Sequence, residues 1–250
     1  MKHVIATWLS VAILIITSWW AHALERCDIS SKTGDICLCG LSELHPTQAA
    51  VGMMEVRIRA EKLRQKKQGR SEEAFLKYLE KHDRIEPVVV GPSGVLYITD
   101  HHHLARALRE IGVVVTYCRV LDNMSNSSPE KFWKSLQDRN EIHLEDGQGK
   151  IITPAELPTT IDALQDDPFR SLAGAVREAC GFKKQSESAS STNYLEFEWA
   201  DYLRANWAKT DIPIASINEN FDSATKAALD LATQKEAAAL PGYTGRASCN

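Results

Sequence analysis

Two patterns alternate along the chain. Runs rich in β-branched residues at 36–41, 87–91, 94–99 and 113–121 read as strands. Stretches with apolar residues every three or four positions read as helices. The first helix covers 51–68, with Met54, Ile58 and Leu63 as its apolar positions and Gly69 just past its end. Ser71 caps a second at 72–81 that buries Phe75, Leu76 and Leu79, and Ser128 caps another at 129–138 with Pro129 in its first turn. Gly91-Pro92-Ser93-Gly94 turns one strand into the next. Beyond residue 150 the β-branched runs give out. Helical stripes replace them: Phe169, Leu172, Ala173 and Val176, then Leu195, Trp199, Tyr202 and Leu203, then an Ala-rich helix over 223–239. Residues 184–193 form a Ser-rich linker, and the last ten residues, 241–250, read as a frayed, flexible tail. The fold class is α/β, with α+β mixing: one domain at 24–140 and a mainly helical C-terminal extension at 141–240.

The N-terminus changes the setting. Lys2 and His3 precede an almost wholly apolar run at 4–20, and Ala21-His22-Ala23 matches a cleavage site, so residues 1–23 read as a signal peptide. An uncleaved anchor is the rival reading. With the signal removed the protein is secreted or periplasmic and no permanent membrane span is expected. The full chain has 250 residues and a formal charge of −4. Loss of Lys2 makes the exported form more acidic still, which argues against a general nucleic-acid surface while leaving room for a local basic groove. The six cysteines, Cys27, Cys37, Cys39, Cys118, Cys180 and Cys249, all follow the signal and suggest disulfides in an oxidising compartment. Cys37 and Cys39 alternate along a strand and share a face, and one of them is expected to join Cys27.

Candidate chemistry concentrates where a strand ends and a helix begins, at Asp100-His101-His102-His103. Asp100 occupies the expected cap position, and free backbone N–H groups there favour a bound anion. Successive helical residues lie about 100° apart, so at most two of the three histidines converge on one ligand. Glu55 on the first long helix is a candidate carboxylate, solvation being its ordinary fate. Arg170 and Arg177 are seven apart, hence on one helix face, where they contact a phosphate or, more simply, pair with Asp166, Asp167 or Glu178.

The ordered motifs Leu44-His45-Pro46-Thr47-Gln48, Pro87-Val88-Val89-Val90 and Tyr97-Ile98-Thr99-Asp100-His101-His102-His103-Leu104-Ala105-Arg106-Ala107 resemble the ParB/sulfiredoxin superfamily, and specifically its ParB-like nuclease branch. The resemblance covers about 37–121, and 150–205 resembles that branch's extension. It implies a ParB/sulfiredoxin-like domain with a phosphate or nucleotide site at this turn. Superfamily members act as nucleotide-dependent clamps, sulfinic acid reductases, free-amino-acid kinases or nucleases. The family's basic pair falls on His102 and His103, while Asp100 stands where the family has Gly. His101 stands where sulfiredoxin chemistry needs Cys, and Gln48 stands where the kinases carry Glu.

These departures point to metal-assisted phosphodiester hydrolysis. The expected catalytic residues are His101, His102 and His103. His102, His103, Arg106, Gln48 and His45 are the expected phosphate contacts. Asp100 and His101 are the expected ligands of a divalent metal, Mg, Mn or Zn. The partners implied are a phosphate ester, a nucleotide or a nucleic acid substrate, with a protein partner also open. The alternatives are a noncatalytic nucleotide- or partner-binding module and a small-molecule kinase.

Overall fold

The computed structural model describes residues 25–183 and 195–249. The expected signal peptide and the Ser-rich linker lie outside the described residues. A five-stranded mixed sheet organises the N-terminal half. Its strands are β1 (Ile36–Gly40), β2 (His45–Pro46), β4 (Glu86–Val90), β5 (Leu96–Ile98) and β6 (Val115–Asn123), in the order β1-β6-β4-β5-β2. β1 runs antiparallel to β6, β4 pairs parallel with β6 and antiparallel with β5, and β2 pairs parallel with β5. Central β4 explains its own sequence. Val88 and Val90 face one layer and Val89 the other, so the strand is apolar throughout. The first layer holds α1 (Met53–Lys67), α2 (Glu72–Lys81) and α3 (His102–Glu110), and the second holds α4 (Pro129–Asp138) through Phe132 and Leu136.

Helix α1 differs from its expected stripe. It buries Val56, Ala60 and Leu63, spaced i, i+4, i+7, whereas Ile58 points outward and Met54 is half-buried. Helices α2 and α4 match expectation at both ends, with Ser71 accepting from the Ala74 N–H and Ser128 from the Lys131 N–H.

A second core lies in the C-terminal half. There α5 (Pro168–Glu178), α6 (Leu195–Asn206) and α7 (Phe221–Ala232) pack Phe169, Leu172, Val176, Trp199, Leu203 and Leu231 together. The two halves are stitched rather than strung. β3 (Ala50–Val51) pairs parallel with β7 (Gln165–Asp166), and Ile161 and Leu164 join the core of the sheet half. The N-terminus of α1 is satisfied from across the junction, because Asp166 Oδ1 accepts from the Met53 N–H at 2.9 Å and Ser171 Oγ from the Met54 N–H at 3.2 Å. Gly52 makes that approach possible, since a Cβ there would lie 2.5 Å from the Ser171 backbone nitrogen.

Three disulfides form, Cys27–Cys37, Cys39–Cys118 and Cys180–Cys249. They fit an oxidising compartment, and no helix among the described residues is long and apolar enough to cross a membrane. The last of them falls within the expected tail. Cys249 is tied to Cys180, the Tyr243 hydroxyl donates to the Thr233 carbonyl, and the Trp199 indole donates to the Pro241 carbonyl.

Candidate functional site

The turn between β5 and α3 meets the helical half around a cavity of about 310 Å³. Thr99 to Leu104 form one side of it. Glu55 and Arg59 of α1, the loop 140–143, Arg170 and Arg177 of α5, and Leu195 to Phe197 of α6 form the others. Register places the parts. Val88 opposite Ile98 brings Glu86 level with Asp100, and Pro46 opposite Ile98 brings Thr47 alongside Thr99.

Each residue of the Asp-His-His-His run has a different position. Asp100 is not the cap: its Oδ1 accepts from the His101 N–H at 2.6 Å, and His101 itself is the N-cap residue, at φ +61°. That left-handed conformation is strained for a residue with a Cβ, and such strain concentrates at functional turns. The His102 ring is buried between two backbones. Its Nε2 accepts from the Thr47 N–H at 3.1 Å, and it is hydrogen-bonded to the Ile98 carbonyl, which also accepts from the Thr47 hydroxyl at 3.0 Å. Burial pushes its pKa down to about 3. His103 Nε2 accepts from the Gly52 N–H at 3.0 Å, and burial lowers its pKa to about 4. A neutral His103 makes no ion pair with Glu55, although Oε2 of Glu55 lies 3.5 Å away. The expected chemical roles of His102 and His103 therefore meet a geometric obstacle, because the Nε2 lone pair of each is already spent on the backbone.

His101 is placed differently. Its Nδ1 lies 3.6 Å from Oε2 of Glu86, just beyond hydrogen-bond reach, while the ring is 36 % exposed and lines the cavity. The edge that carries Nε2 is thus the one left to the cavity. Glu86 is fully buried, and neither carboxyl oxygen has a hydrogen-bond partner among the described residues. Desolvation lifts its pKa to about 7, with the opposing pull of His101 only partly offsetting it. Burial would lower the His101 pKa, but Glu86 and Asp100 outweigh it and the net shift is upward.

The opposite wall is cationic and partly neutralised. The Arg170 side chain is buried; its Nη2 donates to Oε2 of Glu196 at 3.2 Å and its guanidinium lies over the Phe197 ring at 4.0 Å. Its Nε and Nη1 have no partner among the described residues. Arg177 pairs with the other oxygen of Glu196. Both arginines thus share a face as expected, yet their partner comes from α6 and not from Asp166, Asp167 or Glu178. Arg59 donates to Oε1 of Glu55 at 2.7 Å. Burial raises the Glu55 pKa, and the cations beside it, Arg59 and Arg170 among them, outweigh that, leaving it below the usual carboxylate value.

Two expected phosphate contacts fall elsewhere. Arg106 is not among the cavity residues; it reaches Glu110 at 3.4 Å, one turn along α3. His45 is also outside the cavity, edge-on to the Tyr97 ring at 5.4 Å, because β2 carries it to the α4 side of the sheet. Gln48 does line the cavity, but its side-chain amide donates to the Ala50 carbonyl at 3.0 Å. The expected metal also lacks a donor set. Among the described residues no three His, Cys, Asp or Glu side chains converge on a metal position, and the committed Nε2 atoms of His102 and His103 leave only Asp100 and His101. The sequence reading missed Glu86, Arg59, Glu141, His143 and Glu196. For Glu86 a signal existed, a lone acid opening the apolar run Pro87-Val88-Val89-Val90.

A family model described as putative ParB-like nuclease matches residues 37–205. The chain belongs to this ParB-like nuclease family. The match spans every wall of the cavity, so in this ParB-like nuclease relative α5 and nearly all of α6 are part of the family's unit. A search of curated proteins finds no match. Among solved structures, the crystal structure of protein Atu1540 from Agrobacterium tumefaciens is similar, with 34 % identity and a TM-score of 0.69 over 84 % of this chain and 98 % of that one.

Proposed function

We propose that the cavity binds a phosphate ester and hydrolyses it, with His101 as the general base. One observation carries the reading: a histidine backed by a buried carboxylate faces a cavity whose far wall includes a buried arginine with two guanidinium nitrogens unpartnered among the described residues. In the proposed reaction a water oxygen bonds to phosphorus and gives its proton to Nε2 of His101. The P–O ester bond breaks, and the departing oxygen takes that proton back as an alcohol. Glu86, 3.6 Å behind the ring, stabilises its charged form. Arg170 and the free N–H groups of the first turn of α3 hold the phosphate oxygens. No step runs through a metal, since the donor set does not fit one. Export, which the disulfides favour, supports hydrolysis over transfer from a nucleoside triphosphate, because hydrolysis needs only water.

The test uses the protein beginning at Leu24 with bis(4-nitrophenyl) phosphate, in the presence and absence of EDTA. Turnover should survive EDTA and fall by about 10²-fold or more in His101→Gln. Absence of turnover by the unaltered protein, or an unchanged rate in the variant, would overturn the reading. Stabilisation by a phosphate ester without its consumption would favour the noncatalytic binding module.

A further inference from the structure

We propose that the substrate is a small phosphate ester of about nucleotide size that also carries hydroxyl or amino donors, and not an internal stretch of polynucleotide. This rests on the reading of the cavity as a phosphate-ester site and narrows what enters it. Size is the first ground. A half-open cavity of about 310 Å³ bounded by α1, α3, α5, α6 and the loop 140–143 lies at the lower end of small-molecule sites. Arg170 is 5 % exposed, so a phosphate reaches it only by entering that cavity.

Charge is the second ground. The lining holds Arg59, Arg170 and Arg177, but also Glu55, Asp100, Glu141 and Glu196. A polyanion would set its further phosphates against these carboxylates, on a chain whose formal charge is already −4. Sites that hold nucleic-acid backbones instead gather cations that release counterions from successive phosphates. One phosphate on Arg170 suits this wall; a row of them does not.

The open groups are the third ground. Arg170 Nε and Nη1 are buried donors without partners, and Glu55 Oε2 is a buried acceptor without one among the described residues. They are neighbours. Gly174 lies one turn after Arg170 on α5, and a Cβ there would sit 3.1 Å from Oε2 of Glu55, so the glycine lets that carboxylate close over the same helix face. Buried polar groups left unpaired are costly, and one ligand satisfies both ends if it carries an anion and, a few bonds away, a donor.

Binding and cleavage are read separately. Binding is measured by calorimetry with a nucleoside 5′-monophosphate, inorganic phosphate and a single-stranded 20-mer; cleavage is measured on a dinucleoside monophosphate and on covalently closed and single-stranded circular DNA. The monophosphate should bind at least about tenfold more tightly than the 20-mer, a gap of about 1.4 kcal/mol. The dinucleotide should be cleaved and both circles left intact. Arg170→Gln should abolish monophosphate binding, with circular dichroism reporting whether it folds. Glu55→Gln, a milder change, should weaken the monophosphate by about tenfold and inorganic phosphate much less, because only the former presents a donor several bonds away from its phosphate. Nicking of circles that is lost in His101→Gln would overturn the substrate class and leave hydrolysis standing. Tight monophosphate binding with no cleavage of any substrate would overturn hydrolysis and uphold the ligand class. Failure of the monophosphate to bind, or its binding no tighter than the 20-mer, would overturn the inference.

Discussion

The two sides of the cavity spend their polar groups in opposite ways. On the β5–α3 turn, His102 and His103 are neutral and committed, each giving its Nε2 lone pair to a backbone N–H about fifty residues earlier, at Thr47 and Gly52. On α5, Arg170 keeps its charge and leaves two nitrogens without partners among the described residues, and Arg177 is held by Glu196. The turn supplies order and the helical wall supplies charge. Between them, His101 alone combines a cavity-facing edge with a buried carboxylate behind it. A run of three histidines thus does not make three ligands: two of them build the frame that presents the first.

The sharpest break of this comparison is to remove a frame histidine. His102→Ala strips the acceptor from the Thr47 N–H and the partner from the Ile98 carbonyl inside the core, and should cost about 3–5 kcal/mol by urea denaturation. Acid should imitate it. With folded pKa values of about 3 for His102 and about 4 for His103 and His143, against 6.5 unfolded, the unfolded chain binds more protons below pH 6.5. Stability should therefore fall as pH drops from 6.5 toward 4, and His102→Ala should flatten that slope. A variant as stable as the parent, with an unchanged acid limb, would show that His102 is no part of the frame.

A smaller effect of opposite sign is expected at Glu86. Its folded pKa of about 7 lies above the ordinary 4.5, so its contribution to stability is lost as pH rises from 4.5 to 7. Glu86→Gln escapes that loss and should be more stable than the parent at pH 8 by about 1–3 kcal/mol. The same change removes the charge that raises the His101 pKa. The contribution of the His101 proton, present below pH 6.5 and lost as pH rises through the raised value, then disappears, so the two stability curves should converge or cross in mild acid. The rising limb of the hydrolysis rate should move to lower pH as well, because a less basic His101 is free to accept a proton earlier. A rate profile at the parental position would separate Glu86 from His101.

How legible all this was depends on range. Helices α2 and α4 could be read to their last residue because Ser71 and Ser128 cap them locally and their buried residues, Phe75 and Leu79 or Phe132 and Leu136, sit one turn apart. The pairs β2, β3 and β7 could not, since two residues carry no period. At the site, the strand-turn-helix around Asp100 was written in neighbouring residues. The commitments of its side chains were not, because Thr47, Gly52 and Glu86 come from other strands and loops. The same holds for the wall. The spacing of Arg170 and Arg177 gave their common face, but Glu196 reaches them from a helix that only tertiary packing brings near. Sequence marked where the site lies; long-range contacts decided which of its groups remain open.

The smallest expected effect is the most discriminating for that last point. Arg106 and His45 were two of the five expected phosphate contacts, and both lie outside the cavity. Arg106 makes an i,i+4 pair with Glu110 on a partly exposed face, worth about 0.3–0.5 kcal/mol, and His45 an edge contact with Tyr97 worth about 0.5–1.5 kcal/mol. Arg106→Ala and His45→Ala should therefore leave kcat/KM within about twofold of the parent, since neither removes transition-state stabilisation. Arg177→Gln, on the other wall, should raise KM by a larger factor. A tenfold loss in Arg106→Ala with little change in Arg177→Gln would reverse the comparison: the phosphate would then sit on the turn, as in the superfamily signature, and α5 would be scaffold. The geometry favours the opposite order, because Arg106 is drawn along α3 to Glu110 while the cavity opens at that helix's first turn.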